Sequence, residues 1–377
     1  MFYTIKATPR MHQISMDEFM AMTAEDLNRK VYQREDFTLT RTTSEPKIDC
    51  DVYGTISLMT EFMAAHKNLY TAERSTLYRT FYIPKKSGGM RRIDAPNDDL
   101  KQALEDIAKI FKTQFSALYH TTAYAYVEKR SVVDALRIHT KHESRWFLKT
   151  DFSNFFGNTT KEFVIRMLTQ IDPFQRVINA DPDLFDRFID LAFLNGGLPQ
   201  GTPLSPMLTN LIMIPFDYYI SNRLHERHLV YTRYADDCLI SSKISFNFNE
   251  VIGIMKEIMR DLRMPYELKR EKIRYGSSSG SNWNLGLMIN KDNNITIGWK
   301  NRKRFCAACN NYCADKKNGI LWDLESLYAF NGLIAWYSMV QEDDIEYILK
   351  KYTDEFGFEE NIKQLVKADI KRLRGRL

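Results

Sequence analysis

The sequence predicts an α+β fold in which an antiparallel sheet is packed with helices and followed by a helical C-terminal region. Three observations predict it. Phe81-Tyr82-Ile83-Pro84 and the run Met90-Arg91-Arg92-Ile93 flank Lys85-Lys86-Ser87-Gly88-Gly89, the pattern of a β-hairpin with a basic, glycine-bearing tip. Two more β-prone runs flank the acidic pair Asp236-Asp237, and the apolar strand Trp146-Phe147-Leu148 leads into Asp151. From about Asp323 onward the pattern is helical and increasingly basic.

The remaining elements follow in chain order. Residues 1–70 are polar and mixed, with short helical patterns and no assignable chemistry. Pro96 and Asn97-Asp98-Asp99 start a helix whose apolar face runs through Leu100, Leu104, Ile107, Ile110 and Phe111. Ser205 reads as an N-cap with Pro206 at the first helical position, opening a helix through Leu208, Leu211, Ile212 and Phe216. Pro215 should kink that helix at a cost of up to ~3 kcal/mol. Ser277-Ser278-Ser279-Gly280-Ser281 reads as a loop between strands.

Bulk properties exclude several classes. A chain of 377 residues with 44% apolar and 27% charged residues is ordinary for a soluble globular protein. No stretch approaches the roughly 18 to 20 apolar residues that span a bilayer, so no membrane partner is expected. Met1-Phe2-Tyr3-Thr4-Ile5-Lys6 is no secretory signal, and five cysteines, an odd number, suggest a reducing cytoplasm. Cys306, Cys309 and Cys313 have metal-like spacing but lack a fourth ligand. The same spacing stacks on one helical face, where cysteine packs as a small apolar residue. The seven histidines fall in no hydrolase pattern. A net charge of +5 is modest, but basic residues cluster at Lys85-Lys86 with Arg91-Arg92, at Lys269 to Arg274, at Lys300 to Arg304 and at Lys363 to Arg376. Such clusters suit phosphate neutralisation, although each alone reads equally as a solvated face.

The sharpest signal is Tyr231-Thr232-Arg233-Tyr234-Ala235-Asp236-Asp237-Cys238-Leu239-Ile240-Ser241. Adjacent aspartates in a hairpin turn repel each other, and a hard cation such as Mg²⁺ would neutralise them. Phosphoryl transfer with two metals about 3.5 to 4 Å apart needs carboxylates converging from separate elements, and Asp151 ends another strand. Gly196-Gly197-Leu198-Pro199-Gln200-Gly201-Thr202-Pro203-Leu204-Ser205-Pro206 lies between them. It reads as a turn whose backbone approaches a ligand and whose helix N-terminus favours phosphate.

An aspartate after an apolar strand, then Leu-Pro-Gln-Gly-Thr-Pro-Leu-Ser-Pro, then Tyr-Ala-Asp-Asp, resembles the palm of bacterial reverse transcriptases: the retron, defence-associated and group II intron enzymes. The resemblance runs from about Phe81 to Tyr337. It implies a right-hand polymerase: an N-terminal extension over 1–70, fingers over 71–145 with part of 157–200, a palm over 146–298 and a helical thumb over 299–377. It implies Asp151, Asp236 and Asp237 as catalytic and metal-binding residues, with the backbone carbonyl of Phe152 also against the metal. The cofactor is two Mg²⁺ ions, with Mn²⁺ as the alternative. Phe156 would exclude a 2′-hydroxyl, Gln200 and Gly201 would flank the nascent base pair, and Lys85 and Arg92 would grip the triphosphate of a dNTP. Core packing is the other reading of Phe155 and Phe156. Lys272 falls near the leaving pyrophosphate, with a plain surface lysine as the other reading. Asn284 to Asn290 resembles the primer-supporting hairpin, and Leu327 to Tyr337 the first strong thumb helix, lying along the minor groove of a template–primer duplex.

Two stretches depart from the retron pattern. Ser131 to His139 stands where Asn-Ala-x-x-His is usual, and Trp283-Asn284-Leu285-Gly286 where Val-Thr-Gly is usual. Intron-encoded enzymes carry a further segment past the thumb. By elimination the expectation is a stand-alone enzyme of antiphage defence that copies a structured non-coding RNA into DNA, with self-association left open. The rivals are an RNA-binding scaffold without polymerisation and an RNA-dependent RNA polymerase. The polymerase assignment requires the strand-borne carboxylates to meet, free of permanent arginine or lysine partners.

Overall fold

A computed structural model describes residues 50–85, 88–115, 119–279 and 283–375. Lys86-Ser87 at the first hairpin tip, Gly280-Ser281, Arg376 and the sequence before Cys50 lie outside the described residues. The chain divides into two compact units. Of the described residues, one takes 50–130, 150–240 and 247–273, the other Ser131–Lys149, Ser241–Phe246 and 274–375.

In the first unit, helix α1 (Val52–Ala65) is capped by Asp51, which accepts from Gly54 N, and is followed by the short α2 (Lys67–Thr71). The part of the expected extension before Tyr70 that is described therefore packs into this unit, with Phe62 edge-on to Phe188 at 5.4 Å and the Tyr70 hydroxyl donating to the Phe188 carbonyl. Strands β1 (Tyr78–Pro84) and β2 (Met90–Pro96) form the expected hairpin, longer at its open end and pairing Phe81 with Ile93. Asn97 caps α3 (Asp98–Gln114) through Leu100 N, and Asp98 and Asp99 lie in its first turn, where the helix dipole favours negative charge. Its buried face holds Leu100, Ala103, Leu104, Ile107 and Phe111, whereas Ile110 is half-buried.

Helix α4 (Val132–Lys141) belongs to the second unit, and strand β3 (Trp146–Asp151) runs from the second unit into the first. Helices α5 (Lys161–Leu168), α6 (Phe174–Ala180) and α7 (Pro182–Ile189) then close the core of the first unit. There Phe111 meets Phe174 at 5.4 Å and Phe188 at 6.1 Å, and Phe115 stacks on Phe174 at 3.9 Å. Such ring clusters bury the largest apolar area per residue and suffice to seat a unit of this size.

The single kinked helix expected around Pro215 is two helices, α8 (Ser205–Ile212) and α9 (Ile214–His225). The break places Pro215 in a first turn, where its missing N–H has no partner to lose. Ser205 is itself the first helical residue rather than the cap. Leu204 is the N-cap and offers no side-chain cap; the Thr202 hydroxyl lies 3.3 Å from Ser205 N and 2.6 Å from Ser205 Oγ. Strands β4 (Val230–Tyr234) and β5 (Asp237–Ser242) are neighbours, helix α10 (Phe248–Asp261) follows in the first unit, and β6 (Arg274–Ser277) belongs to the second. Strands β3 and β6 run antiparallel, pairing Trp146 with Ser277 and Lys149 with Arg274.

The second unit continues with a small meander of β7 (Trp283–Asn284), β8 (Leu287–Ile289) and β9 (Ile295–Thr296). Leu285 and Gly286 both have positive φ, 52° and 82°, the backbone of a type I′ hairpin turn. Helices α11 (Trp299–Lys317), α12 (Leu324–Val340), α13 (Glu342–Phe356) and α14 (Ile362–Arg374) form the helical C-terminal region. Asp323 caps α12 at the expected start. Cys309 and Cys313 are buried on α11 and Cys306 is half-buried. Burial pushes the Cys313 thiol up to about 11, which suits packing and not thiolate ligation. Among the described residues no helix is long and apolar enough to cross a membrane.

Candidate active site

The acidic turn joins β4 to β5. Ala235 adopts φ 57°, a left-handed conformation that costs a non-glycine residue about 1–2 kcal/mol. The surrounding structure over-determines it. Arg233, two residues earlier, donates from Nη1 to the Ala235 carbonyl at 3.0 Å. Its guanidinium is fully buried and forked onto Asp217 of α9, with Nη2 2.7 Å and Nε 2.9 Å from the carboxylate oxygens. Asn210 of α8 accepts from the same Nη1 at 3.1 Å and donates to the Ala125 carbonyl at 2.6 Å. The Tyr231 hydroxyl donates to Asp217 at 2.8 Å, and burial, then the Asp217 charge, push its pKa well up. All three polar partners of Arg233 are satisfied, as a buried charge requires.

Asp151 ends β3 beside this turn. The Phe152 N–H donates to the Asp236 carbonyl at 3.3 Å, which brings two remote stretches of chain into register. The three carboxylates feel one another. Burial first, then the Asp151 charge, raise the Asp236 pKa. Asp237 is pushed up to about 7 by burial and then by Asp236 and Asp151. Like charges gathered in this way are what a divalent cation relieves.

Asp151 does not stand free, however. Lys269 Nζ lies 2.7 Å from its Oδ1, and Lys272 Nζ contacts its Oδ2. Lys272 is half exposed and paired: burial opposes its charge, and its bond to Asp151 outweighs that and raises its pKa. Among the described residues no three Asp, Glu, His or Cys side chains form a ready-made metal-ligand group. Two kinds of basic partner must be distinguished here. The Arg233–Asp217 pair is 0% exposed on both sides and permanent. The side chains of Lys269 and Lys272 are 26% and 48% exposed, so either ammonium can swing into water without being stranded. The donor chemistry, hard carboxylate oxygens crowded to mutual repulsion, fits Mg²⁺ or Mn²⁺ once Asp151 turns from its lysines.

Protons and divalent ions compete for these oxygens. Because the Asp237 pKa is raised to about 7, its carboxylate is fully ionised well above pH 7 and is lost as the pH falls through 7, so any divalent ion it holds is lost with it. Mn²⁺ affinity, read from the electron paramagnetic resonance of the free ion, is expected to weaken about tenfold from pH 8 to pH 6. A pH-independent affinity contradicts this assignment.

The glycine-rich stretch packs closely against the chain itself. A Cβ on Gly197 would lie 2.2 Å from the Gly157 carbonyl oxygen, and one on Gly201 (φ 121°) 2.9 Å from Ile93 Cγ2. The Gln200 carbonyl accepts from Asp94 N at 2.8 Å, so this loop is sewn to β2. Thr202, Leu204 and Ser205 are buried, which closes the N-terminus of α8 to any phosphate. Gln200 is half-buried.

The other expected residues are readily placed. Arg92 donates from Nε to Asp94 at 2.9 Å, and Asp94 also accepts from Thr80 at 2.7 Å, which fixes the plane of the guanidinium on the hairpin. Lys85 is exposed at the end of β1. Phe155 is core and Phe156 half-buried, the two rings edge-on at 5.7 Å. The Phe152 ring is fully buried, so only its backbone can serve a ligand.

Sequence reasoning missed Arg233, Asp217, Asn210, Lys269 and Tyr126. Tyr126 has φ 59° and a ring 54% exposed, and burial followed by the Asp236 charge raises its hydroxyl pKa, which places it at the acidic turn. The one signal available was Arg233 itself, an arginine in the middle of an otherwise apolar strand.

Comparison with known proteins adds three findings. The family described as reverse transcriptase (RNA-dependent DNA polymerase) matches residues 83–297. Two curated relatives from Escherichia coli are the retron Ec83 reverse transcriptase, 28% identical over 75% of this chain and 89% of the relative, and the retron Ec73 reverse transcriptase, 25% identical over 75% and 90%. Among solved structures, a Candida albicans telomerase in complex with a fragment of telomeric RNA aligns with TM-score 0.44 and 11% identity, over 77% of this chain and 66% of that one. The two departures from the retron pattern therefore do not remove the chain from the retron neighbourhood.

Proposed function

The chain belongs to the reverse transcriptase (RNA-dependent DNA polymerase) family, and on that premise we propose that it extends a primer along an RNA template by two-metal nucleotidyl transfer. The observation that carries the reading is the meeting of Asp151 with the Asp236-Asp237 turn. Asp151 and Asp236 would hold the ions, assisted by Asp237 and the Phe152 carbonyl. Two Mg²⁺, or Mn²⁺, would lower the pKa of the primer 3′-hydroxyl and stabilise the leaving oxygens.

The protein groups supply position. Arg92, paired with Asp94, and Lys85 at the end of β1 would bind the triphosphate, and Lys272 beside Asp151 would meet the leaving pyrophosphate. On α12 an exposed strip of Tyr328, Gly332, Ala335, Trp336 and Met339 suits a duplex. A Cβ on Gly332 would meet nothing within 4 Å. A mid-helix glycine costs about 1 kcal/mol against alanine, so its flatness serves a partner, and a minor groove fits. In this reading residues 71–145 act as fingers, 146–298 as palm and 299–377 as thumb.

Phe156 is the proposed sugar gate. Comparing dNTP with NTP incorporation on an RNA template is expected to show strong preference for dNTPs, and Phe156→Ala is expected to erode it by about 10²-fold. Equal use of both substrates by the parent chain refutes the DNA-polymerase reading. The resemblance to stand-alone bacterial enzymes extends the proposal to a structured non-coding RNA template and to antiphage defence. A single dominant RNA species co-purifying with the chain supports that extension, and a featureless mixture of cellular RNA speaks against it.

A further inference from the structure

Arg233 heads the fully buried side chains by volume among the described residues. A buried ion pair is often no more stabilising than apolar residues of the same size, so this one has to be explained by what it positions. Its five donor contacts reach only three groups: the Asp217 carboxylate, Asn210 Oδ1 and the Ala235 carbonyl. Its main chain is fixed as well, with N–H on the Thr122 carbonyl at 2.8 Å and carbonyl on the Tyr124 N–H at 2.9 Å. Both ends of the arginine are thus immobile, and the one target that belongs to a strained segment is Ala235, at φ 57°. The residues that follow it are Asp236 and Asp237.

We propose that Arg233 is a positioning residue of the polymerase site: clamped from behind by Asp217 and Asn210, it holds the Ala235 carbonyl and so keeps the left-handed turn from which the two aspartates project. Asn210 extends the clamp to the Ala125 carbonyl, one residue before Tyr126, so one buried fork sets two segments that border the carboxylates. Lysine could not replace it, since one ammonium cannot engage a carboxylate bidentately and reach a carbonyl on the far side. The inference rests on the polymerase reading above, and its test separates the two.

The test compares the parent chain, Asp236→Asn, the double variant Arg233→Met with Asp217→Leu, and that double variant with Ala235→Gly added. Each is followed by thermal melting, by Mn²⁺ binding through the free-ion resonance signal, and by steady-state primer extension. The double variant strands no charge and is expected to melt well above Arg233→Met alone, short of the parent by the cost of a Tyr231 hydroxyl that has lost Asp217. It should bind Mn²⁺ roughly tenfold more weakly and lose about 10²-fold in kcat at unchanged KM for primer–template, the range seen when groups behind a metal ligand are removed. Ala235→Gly should recover part of that loss, because glycine holds the left-handed turn without a clamp; a merely structural role predicts no recovery. A folded double variant within threefold of the parent in both Mn²⁺ affinity and kcat overturns the proposal. If the double variant does not fold, Asn210→Ala carries the same comparison, with the same expected direction and the same overturning result. A parent chain that does not extend primers, or keeps its activity as Asp236→Asn, overturns the polymerase reading instead, and Mn²⁺ affinity alone then decides the clamp.

Discussion

Asp151→Asn is expected to lower nucleotide incorporation by a factor on the order of 10³ or more while the chain stays folded. The two halves of this expectation have separate causes. Loss of activity follows from removing one of the carboxylates that converge on the Asp236-Asp237 turn, since asparagine keeps the shape but offers a divalent ion only a neutral oxygen. Retention of the fold follows from the surroundings of Asp151. Its two ammonium partners, Lys269 and Lys272, are 26% and 48% exposed and remain solvated when the negative charge is gone. The Asp151 carboxylate itself is buried, and asparagine fills the same volume without leaving any charge stranded. Primer-extension rates with melting curves on the same samples check both halves. If melting collapses together with activity, Asp151 is a structural partner of its lysines and not a ligand.

The second large effect concerns stability. Arg233→Met alone is expected to destabilise the chain by about 3–5 kcal/mol, because it leaves the fully buried Asp217 carboxylate with no cation. The loss should appear as a lowered midpoint in urea. Arg260→Ala, which removes a pair with side chains 75% and 61% exposed, should leave that midpoint unchanged. Equal midpoints for the two variants contradict the reading of Arg233 as the permanent charge of this site.

What could be read from the sequence was what neighbours in sequence decide. The hairpin around Phe81 and Ile93, the Asn97 cap, the apolar face through Leu104 and Phe111, and the Asp323 start of α12 all rest on spacing within a few residues. The Asp151 strand and the acidic turn were legible for the same reason. What was not legible depends on groups far apart in the chain. Lys269 and Lys272 reach Asp151 across more than a hundred residues, and nothing in their own cluster distinguishes them from phosphate contacts. Gly197 and Gly201 are glycines because Gly157 and Ile93 crowd them, a constraint that a ligand-approach reading mimics in sequence. The helix starts at Ser205 with Leu204 before it, one residue earlier than the expected cap places it, in a stretch where Ser205 and Thr202 bond each other. Arg92 and Asp94, two apart on one strand, share a face and could have been paired from alternation alone.

The most direct measurement is synthesis itself: the purified chain with Mg²⁺, a DNA primer on an RNA template and dNTPs, beside Asp236→Asn and beside a reaction with the ion chelated. Full-length DNA from the parent, with none from the variant or the chelated reaction, is the predicted result. DNA synthesis that survives Asp236→Asn, or no synthesis by the parent with any divalent ion, would contradict the claim that these carboxylates and their cations form the catalytic centre.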